Sequence, residues 1–187
     1  MSTPKNVDRT RRNLVIGTAA ASGVAGIAAA VPFVDSMNPS ERAKAMGAPV
    51  EADITGILPG QLLTFEWRGK PVWVLRRTKA MEAAAKQVEG QLIDPKSNSN
   101  QQPAYAKNDL RAQKPDLFVA VGICSHLGCS PTYQPDMPGF FCPCHGSKFD
   151  VAGRVYKGSP APTNLVVPPH TFLSETRILI GADKKEG

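Results

Sequence analysis

Cys124-Ser125-His126-Leu127-Gly128-Cys129 and Cys142-Pro143-Cys144-His145-Gly146-Ser147 carry all four cysteines of the chain and two of its three histidines. As donor groups they spell C-x-H, then fifteen residues, then C-x-x-H. Each block therefore offers one thiolate and one imidazole, donors suited to a transition metal. Cys129 and Cys144 are left over, one in each block. Gly128 and Gly146 tolerate positive φ and Pro143 fixes its own φ, so all three suit tight loops. Two other arrangements draw on the same residues: a structural zinc site, or two plain disulfides with bystander histidines. Neither needs paired thiolate–imidazole blocks together with a matched extra cysteine in each.

Upstream, no charged side chain occurs between Arg12 and Asp35. The 22 positions 13–34 are Leu, Val, Ile, Ala, Gly, Ser and Thr, with Asn13 at the start and Pro32 and Phe33 near the end. A helix of that length spans roughly 33 Å at about 1.5 Å per residue, against a hydrocarbon core of about 30 Å. Half of the net charge of +6 sits in positions 1–12, where Lys5, Arg9, Arg11 and Arg12 outnumber Asp8. That basic tail is expected on the cytoplasmic side, with the rest of the chain across the membrane. Thr10-Arg11-Arg12-Asn13-Leu14-Val15 also reads as a twin-arginine export signal, a route that suits a domain folded around its cofactor before crossing. The competing reading is a cleaved signal peptide with Ala28-Ala29-Ala30 as its processing site. The apolar run outlasts an ordinary h-region of about 7–15 residues, which favours a retained anchor. In the oxidising compartment beyond, leftover cysteines are expected to pair. The charge outside the tail is too thin for a nucleic-acid surface.

The remaining organisation follows from composition. Residues 35–50, with Ser36, Asn38, Pro39, Ser40, Gly47 and Pro49, read as a flexible tether with an r.m.s. reach of about 20 Å. A short helix over 39–46 is the alternative. Residues 51–187 read as one mostly β domain, and 17 Pro and 16 Gly fit short strands and many turns. Leu62 to Trp67 and Val72 to Leu75 flank Arg68-Gly69-Lys70-Pro71 as a hairpin. Lys79 to Val88 is a short Ala-rich helix. Asp94 to Asn108 is a polar surface loop, Leu117 to Ile123 a buried strand leading into Cys124, and Arg177 to Ile180 a last strand. Trp67 and Trp73 are expected in the core and His170 at the surface.

The two blocks, with Gly158-Ser159-Pro160-Ala161-Pro162 downstream, resemble the Rieske iron–sulfur proteins of ubiquinol–cytochrome c reductase, the cytochrome bc complex. The resemblance extends over basic tail, anchor, tether and β domain. It implies an all-β fold: a Rieske-type antiparallel β-sandwich with an inserted cluster-binding subdomain at about 122–162, plus a single transmembrane helix. It further implies one [2Fe–2S] cluster. Cys124 and Cys142 would bind one iron, His126 and His145 the other, and Cys129–Cys144 would be a disulfide. Gly158–Pro162 would be the proline-rich loop packed against the cluster. Ser147 stands where the family places a hydroxyl donating to a bridging sulfide. Two residues on, many members carry a Tyr whose hydroxyl donates to a ligand sulfur; this chain has Phe149. One hydrogen bond to sulfur is thus absent, and a lower midpoint potential is expected than in Tyr-containing relatives.

Imidazoles in place of two thiolates raise the cluster potential to about −150 to +300 mV, against about −400 mV with four thiolates. Such a cluster can take an electron from a quinol, and a liganded histidine keeps one ring nitrogen for the proton. His126 or His145 would meet the quinol, and Leu127 at the loop tip would face its pocket. The implied partners are ubiquinol, a cytochrome b subunit, a c-type cytochrome subunit and the lipid bilayer, in a dimeric respiratory complex. The implied location is a bacterial inner membrane, single-pass, with the head in the periplasm. The second electron of the quinol would leave through another part of the complex. Two alternatives share the cluster motif: the Rieske small subunit of a periplasmic molybdenum oxidase of the arsenite oxidase type, and an electron-carrier ferredoxin. The ferredoxin leaves Cys129, Cys144 and the export segment without a role. An oxygenase catalytic subunit does not fit in 187 residues.

Overall fold

A computed structural model describes residues 8–136 and 139–183. The part of the basic tail in positions 1–7, including Lys5, lies outside the described residues. The chain divides into two units, Met1–Ala45 and Met46–Gly187.

The first unit is built on α1, Arg9–Asp35, in which no residue is buried. The Asp8 carboxylate caps its start by accepting from the backbone N–H groups of Thr10 and Arg11, at 2.9 and 3.3 Å. The cap explains why the helix begins ahead of the apolar run. Asp8 also sets a negative charge against the positive end of the helix dipole. Pro32 lies inside the last turn, and the Ser36 hydroxyl and N–H close that end by donating to the carbonyls of Phe33 and Pro32. Among the described residues α1 is the one helix long and apolar enough to cross a membrane. The stretch read as a tether holds a short helix, α2, at Glu41–Met46, started by Ser40, whose hydroxyl accepts from the Ala43 N–H.

In the second unit the described strands form three antiparallel sheets of three. The first joins β1 (Val50–Asp53), β9 (Arg177–Ile180) and β8 (His170–Phe172). The second joins β2 (Leu62–Trp67), β3 (Lys70–Arg76) and β4 (Leu117–Val121). The third joins β5 (Thr132–Gln134), β6 (Gly139–Phe141) and β7 (Lys148–Asp150). Helix α3, Lys79–Gln87, follows β3 and is capped by Thr78, whose hydroxyl accepts from the Met81 N–H. The β2–β3 hairpin turns through Arg68 and Gly69, both at positive φ (53° and 68°). That turn matches the right-handed twist of its strands, at a strain in Arg68 that glycine would not feel.

Side-chain alternation makes the middle sheet the centre of the fold. Val72 and Val74 of β3, with Leu117, Val119 and Val121 of β4, point one way and pack with Ala52, Ile178 and Ile180 of the first sheet. Trp73, Leu75, Phe118 and Ala120 point the other way and pack with Met81 and Ala85 of α3, Phe140, Phe149, Cys124 and Cys142. β4 is buried at all five residues because both its faces are covered, which is why it reads as an unbroken apolar run. Trp73 stacks on Phe140 with ring centroids 4.9 Å apart and planes 8° from parallel. The segment bearing both cysteine–histidine blocks is thereby fixed to the rigid sheet.

Two sequence expectations are corrected. His170 is not at the surface: it is 1% exposed. It pairs with Ile180 in the first sheet, and its Nδ1 lies 2.8 Å from the Pro168 carbonyl oxygen. The Tyr105 hydroxyl accepts from its N–H and donates to its carbonyl. Burial pushes its pKa down. Pro168 and Pro169 precede it, and the chain passes from them directly into β8. The 94–108 loop is polar yet not wholly superficial. The Asp94 carboxylate accepts from the N–H groups of Asn98 and Ser99, and Ser97 and Ala106 are fully buried beneath.

Candidate metal centre

The two blocks fold into the same loop twice. In the first, the Cys124 N–H donates to the Cys129 carbonyl at 2.8 Å and the Gly128 N–H to the Cys124 carbonyl at 3.1 Å. In the second, the Cys142 N–H donates to the Ser147 carbonyl at 2.8 Å and the Gly146 N–H to the Cys142 carbonyl at 2.9 Å. Gly128 and Gly146 stand at φ 87° and 79°, so the repeated feature is a cysteine with a left-handed glycine four residues on. β4 delivers the first loop and β6 the second, while β7 carries the chain away.

Cys129 and Cys144, one per loop, are joined as a disulfide with their Cα atoms 6.6 Å apart. Cys124 and Cys142 are free and buried. Burial pushes the Cys142 thiol up, and the neighbouring Cys124 thiol adds to this, while N–H groups of Cys144 and His145 donate towards it and oppose the shift. The sulfurs of Cys129, Cys142 and Cys144 lie within 4.8 Å of one another. The first and last of these are spent on each other, so Cys142 is the free donor of the three.

The imidazoles of His126 and His145 face each other edge-to-face, ring centroids 4.7 Å apart. His126 Nδ1 is buried without any hydrogen-bond partner. A buried, unpaired ring nitrogen is unfavourable unless something else binds it. Two free buried thiols, two facing imidazoles and this orphaned nitrogen fit an asymmetric iron–sulfur centre. They fit a tetrahedral zinc ion less well, because a disulfide would be superfluous to it. The tip itself is open: His145 is exposed and Leu127 is 71% exposed.

Comparison with known proteins decides between the readings of this motif. The model "Ubiquitinol-cytochrome C reductase Fe-S subunit TAT signal" matches residues 1–40, and "Rieske [2Fe-2S] domain" matches 97–169. The ubiquinol-cytochrome c reductase iron-sulfur subunit of Allochromatium vinosum is 52% identical over 191 residues, covering 96% of this chain and 92% of the relative. The chain belongs to that family. The subunit of the same name from Blastochloris viridis is 43% identical, covering 97% of this chain and 98% of its own length. A chain of a hyperthermophilic respiratory Complex III superposes with a TM-score of 0.51 at 31% identity, covering 88% of this chain and 98% of its own length. The cofactor is accordingly one Rieske [2Fe–2S] cluster, the chain is a membrane-anchored subunit of a respiratory complex III, and the all-β fold with one apolar helix is the family's.

Within this family's loops, the structure adds Ser125 and Ser159 and gives Ser147 a second partner. The Ser125 hydroxyl donates to the Thr163 carbonyl at 2.6 Å and ties the first loop to the proline-rich segment. The Ser159 hydroxyl accepts from the Lys148 N–H. Ser147, fully buried, accepts from the Ala161 N–H at 3.0 Å, and among the described residues its own proton goes to no protein acceptor. The second loop and Gly158–Pro162 are thus joined by side chains at both ends. No sequence signal marks Ser125 or Ser159, because their partners lie 38 and 11 residues away in other segments. Phe149 is buried in β7 against Phe140. A cavity of about 500 Å³ lies between α3 and β6–β7, and neither histidine lines it. The donor groups therefore reach the surface at the open tip of His145 and Leu127 and not in this cavity.

Proposed function

We propose that this chain is the electron-transfer subunit of a membrane-bound, proton-translocating quinol–cytochrome c reductase. It oxidises ubiquinol held by a cytochrome b subunit and passes the electron to a c-type cytochrome subunit. The observation that carries the proposal is the facing pair of imidazoles at an exposed tip, one with an orphaned Nδ1, above two free buried thiols. Cys124 and Cys142 would hold one iron of the cluster, and His126 and His145 the other. When bound, the cluster supplies a one-electron acceptor of raised potential.

The protein's own groups divide the remaining work. The buried thiols and the Phe140–Trp73 stack keep water from the inner side of the site. His126 Nδ1, the buried nitrogen without a partner, would hold the metal, which would leave Nε2 for the outside; on the exposed His145, too, the nitrogen not spent on metal would serve the outside. An outward nitrogen accepts the hydrogen bond of the quinol hydroxyl and then its proton. Leu127 gives this polar contact an apolar rim that excludes water once the tip docks. The disulfide holds the loop bearing His126 against the loop bearing His145, so both rings keep their geometry during docking.

The basic tail before α1 supports a cytoplasmic N-terminus and a periplasmic head at a bacterial inner membrane, with α1 retained as the single anchor in lipid. Residues 35–50 act as the tether, and the head moves between quinol site and cytochrome in a dimeric complex. The experiment is electron paramagnetic resonance of dithionite-reduced membranes with and without a quinol-site inhibitor. A Rieske signal that changes shape with inhibitor supports the proposal. A Rieske signal indifferent to inhibitor contradicts the quinol role, and its absence contradicts the cluster.

A further inference from the structure

Behind the cluster loops lies a layer of buried charge that quinol oxidation does not use. Arg111 and Arg154 are 0% exposed and Arg77 is 3% exposed, and Asp150 is the one fully buried acid among the described residues. All four converge on the turn that ends β7. Asp150 Oδ2 accepts from Arg154 Nε and Nη2 at 2.9 and 2.7 Å, and Oδ1 accepts from the N–H groups of Ala152 and Arg154. Arg111 donates to the carbonyls of Ala152, Gly153 and Leu165 and to Gln102 Oε1. Arg77 donates to the carbonyls of Pro115 and Leu110, and its Nη2 is buried without a partner. One fully buried carboxylate thus faces three buried guanidiniums and is hydrogen-bonded to Arg154 alone among them. Glu82 and Asp116 act on Arg77, and Asp94 on Arg111, from half-buried positions.

Arg77 and Arg111 remain charged: burial lowers them to about 10, still far above neutral pH. Phe118, Phe140, Phe149 and Val151 pack in one buried cluster with Cys124 and Cys142, and the Arg77 guanidinium lies 5.4 Å from the Phe118 ring. An apolar layer transmits a field that water would screen. Buried guanidiniums are costly where hydrophobic residues could fill the space, and their carbonyl contacts alone do not need three full charges.

We infer that Arg77, Arg111 and Arg154, whose one fully buried counter-charge among the described residues is Asp150, form a buried cationic layer that raises the midpoint potential of the site held by Cys124, Cys142, His126 and His145. Reduction adds one negative charge to that site, so positive charge behind it favours the reduced form and an unpaired negative charge opposes it. Arg77, Arg111 and Arg154 are positioning residues for the cytochrome reductase chemistry, acting through the field and touching neither quinol nor metal. The inference rests on the proposed cluster ligands.

The test is a redox titration of the Rieske resonance in membranes carrying the full complex. The variants are Arg77→Gln, Arg111→Gln, Arg77→Lys, Arg111→Lys and Asp150→Asn. Only folded, cluster-bearing molecules give the resonance, so a folding loss lowers its amplitude and leaves the measured midpoint interpretable. At the wild-type midpoint, where oxidised and reduced forms are equal, each Gln variant is expected to shift the ratio about threefold or more towards oxidised. Asp150→Asn is expected to shift it towards reduced by a similar factor, and the Lys variants are expected to stay near wild type. Loop distortion alone would move Gln and Asn variants the same way and would not be rescued by lysine. That pattern, or unmoved midpoints, overturns the inference. If the wild-type membranes give no Rieske resonance, it is the ligand assignment that fails.

Discussion

Replacing Ser147 with alanine separates two effects that one hydroxyl combines. The oxygen accepts the Ala161 N–H at 3.0 Å in a fully buried position, and the proton is free of protein acceptors. Removing the oxygen strands a buried donor, which costs roughly 1–3 kcal/mol of stability. For a head of this size that lowers the melting temperature by several degrees. Removing the proton would also delete the hydrogen bond to a bridging sulfide that the family resemblance implies for Ser147, a bond stronger when the centre carries the extra electron. If the difference between the two redox states is about 1 kcal/mol, the midpoint falls by about 40 mV, since 59 mV is tenfold for one electron. The assays are a thermal melt of the purified complex and a potentiometric titration followed by electron paramagnetic resonance. Quinol oxidation should slow in step with the lost driving force. A Ser147→Ala protein that melts early but titrates at the wild-type midpoint would refute a donor role and leave Ser147 as a link to Ala161 alone.

Phe149→Tyr is expected to raise the midpoint by roughly 40 mV on the same scale, because it restores the hydroxyl that many family members carry; an unchanged or lowered value in the titration counts against this. Leu127→Ala is expected to leave the folding stability within about 0.5 kcal/mol of wild type, since the side chain is 71% exposed, while turnover with quinol drops sharply. Equal turnover would remove Leu127 from the docking surface. Burial lowers the His170 pKa, so the unfolded chain binds its proton first as pH falls; His170 adds nothing to pH dependence above about 6.5 and subtracts stability below it. Melting curves of His170→Asn are therefore expected to decline less than wild type between pH 6.5 and more acid values, and parallel curves would contradict this. Prolines placed through Ser36–Ala48 are expected to slow cytochrome reduction while leaving the cluster spectrum intact, and normal turnover with a demonstrably rigid segment would defeat the moving-head account.

What could be read from the chain alone was whatever depends on local chemistry. The hairpin at Arg68-Gly69, the α3 helix, the unbroken β4 run and the donor blocks are each set by neighbouring residues, and each stands where the sequence placed it. The double C-x-x-x-G loop was in plain sight as Cys124/Gly128 and Cys142/Gly146 but emerges only when the two blocks are superposed. His170 was misjudged because its burial is decided by pairing with β9 and by Tyr105, 65 residues away. The arginine layer was invisible for the same reason. A sequence shows Arg77, Arg111 and Arg154 as ordinary cations, and only the fold turns them inward onto backbone carbonyls far away along the chain. The Asp8 cap was legible in principle, since an aspartate before an apolar run is a common helix start.

The central claim is an iron pair bound by sulfur at one metal and by imidazole at the other. Pulsed electron paramagnetic resonance on reduced protein grown with ¹⁵N-histidine measures it directly. The account predicts two inequivalent histidine nitrogens coupled to the reduced centre, both lost or reduced to a different centre when His126 or His145 is replaced. Zinc in place of iron, or a resonance without histidine nitrogen coupling, would contradict it.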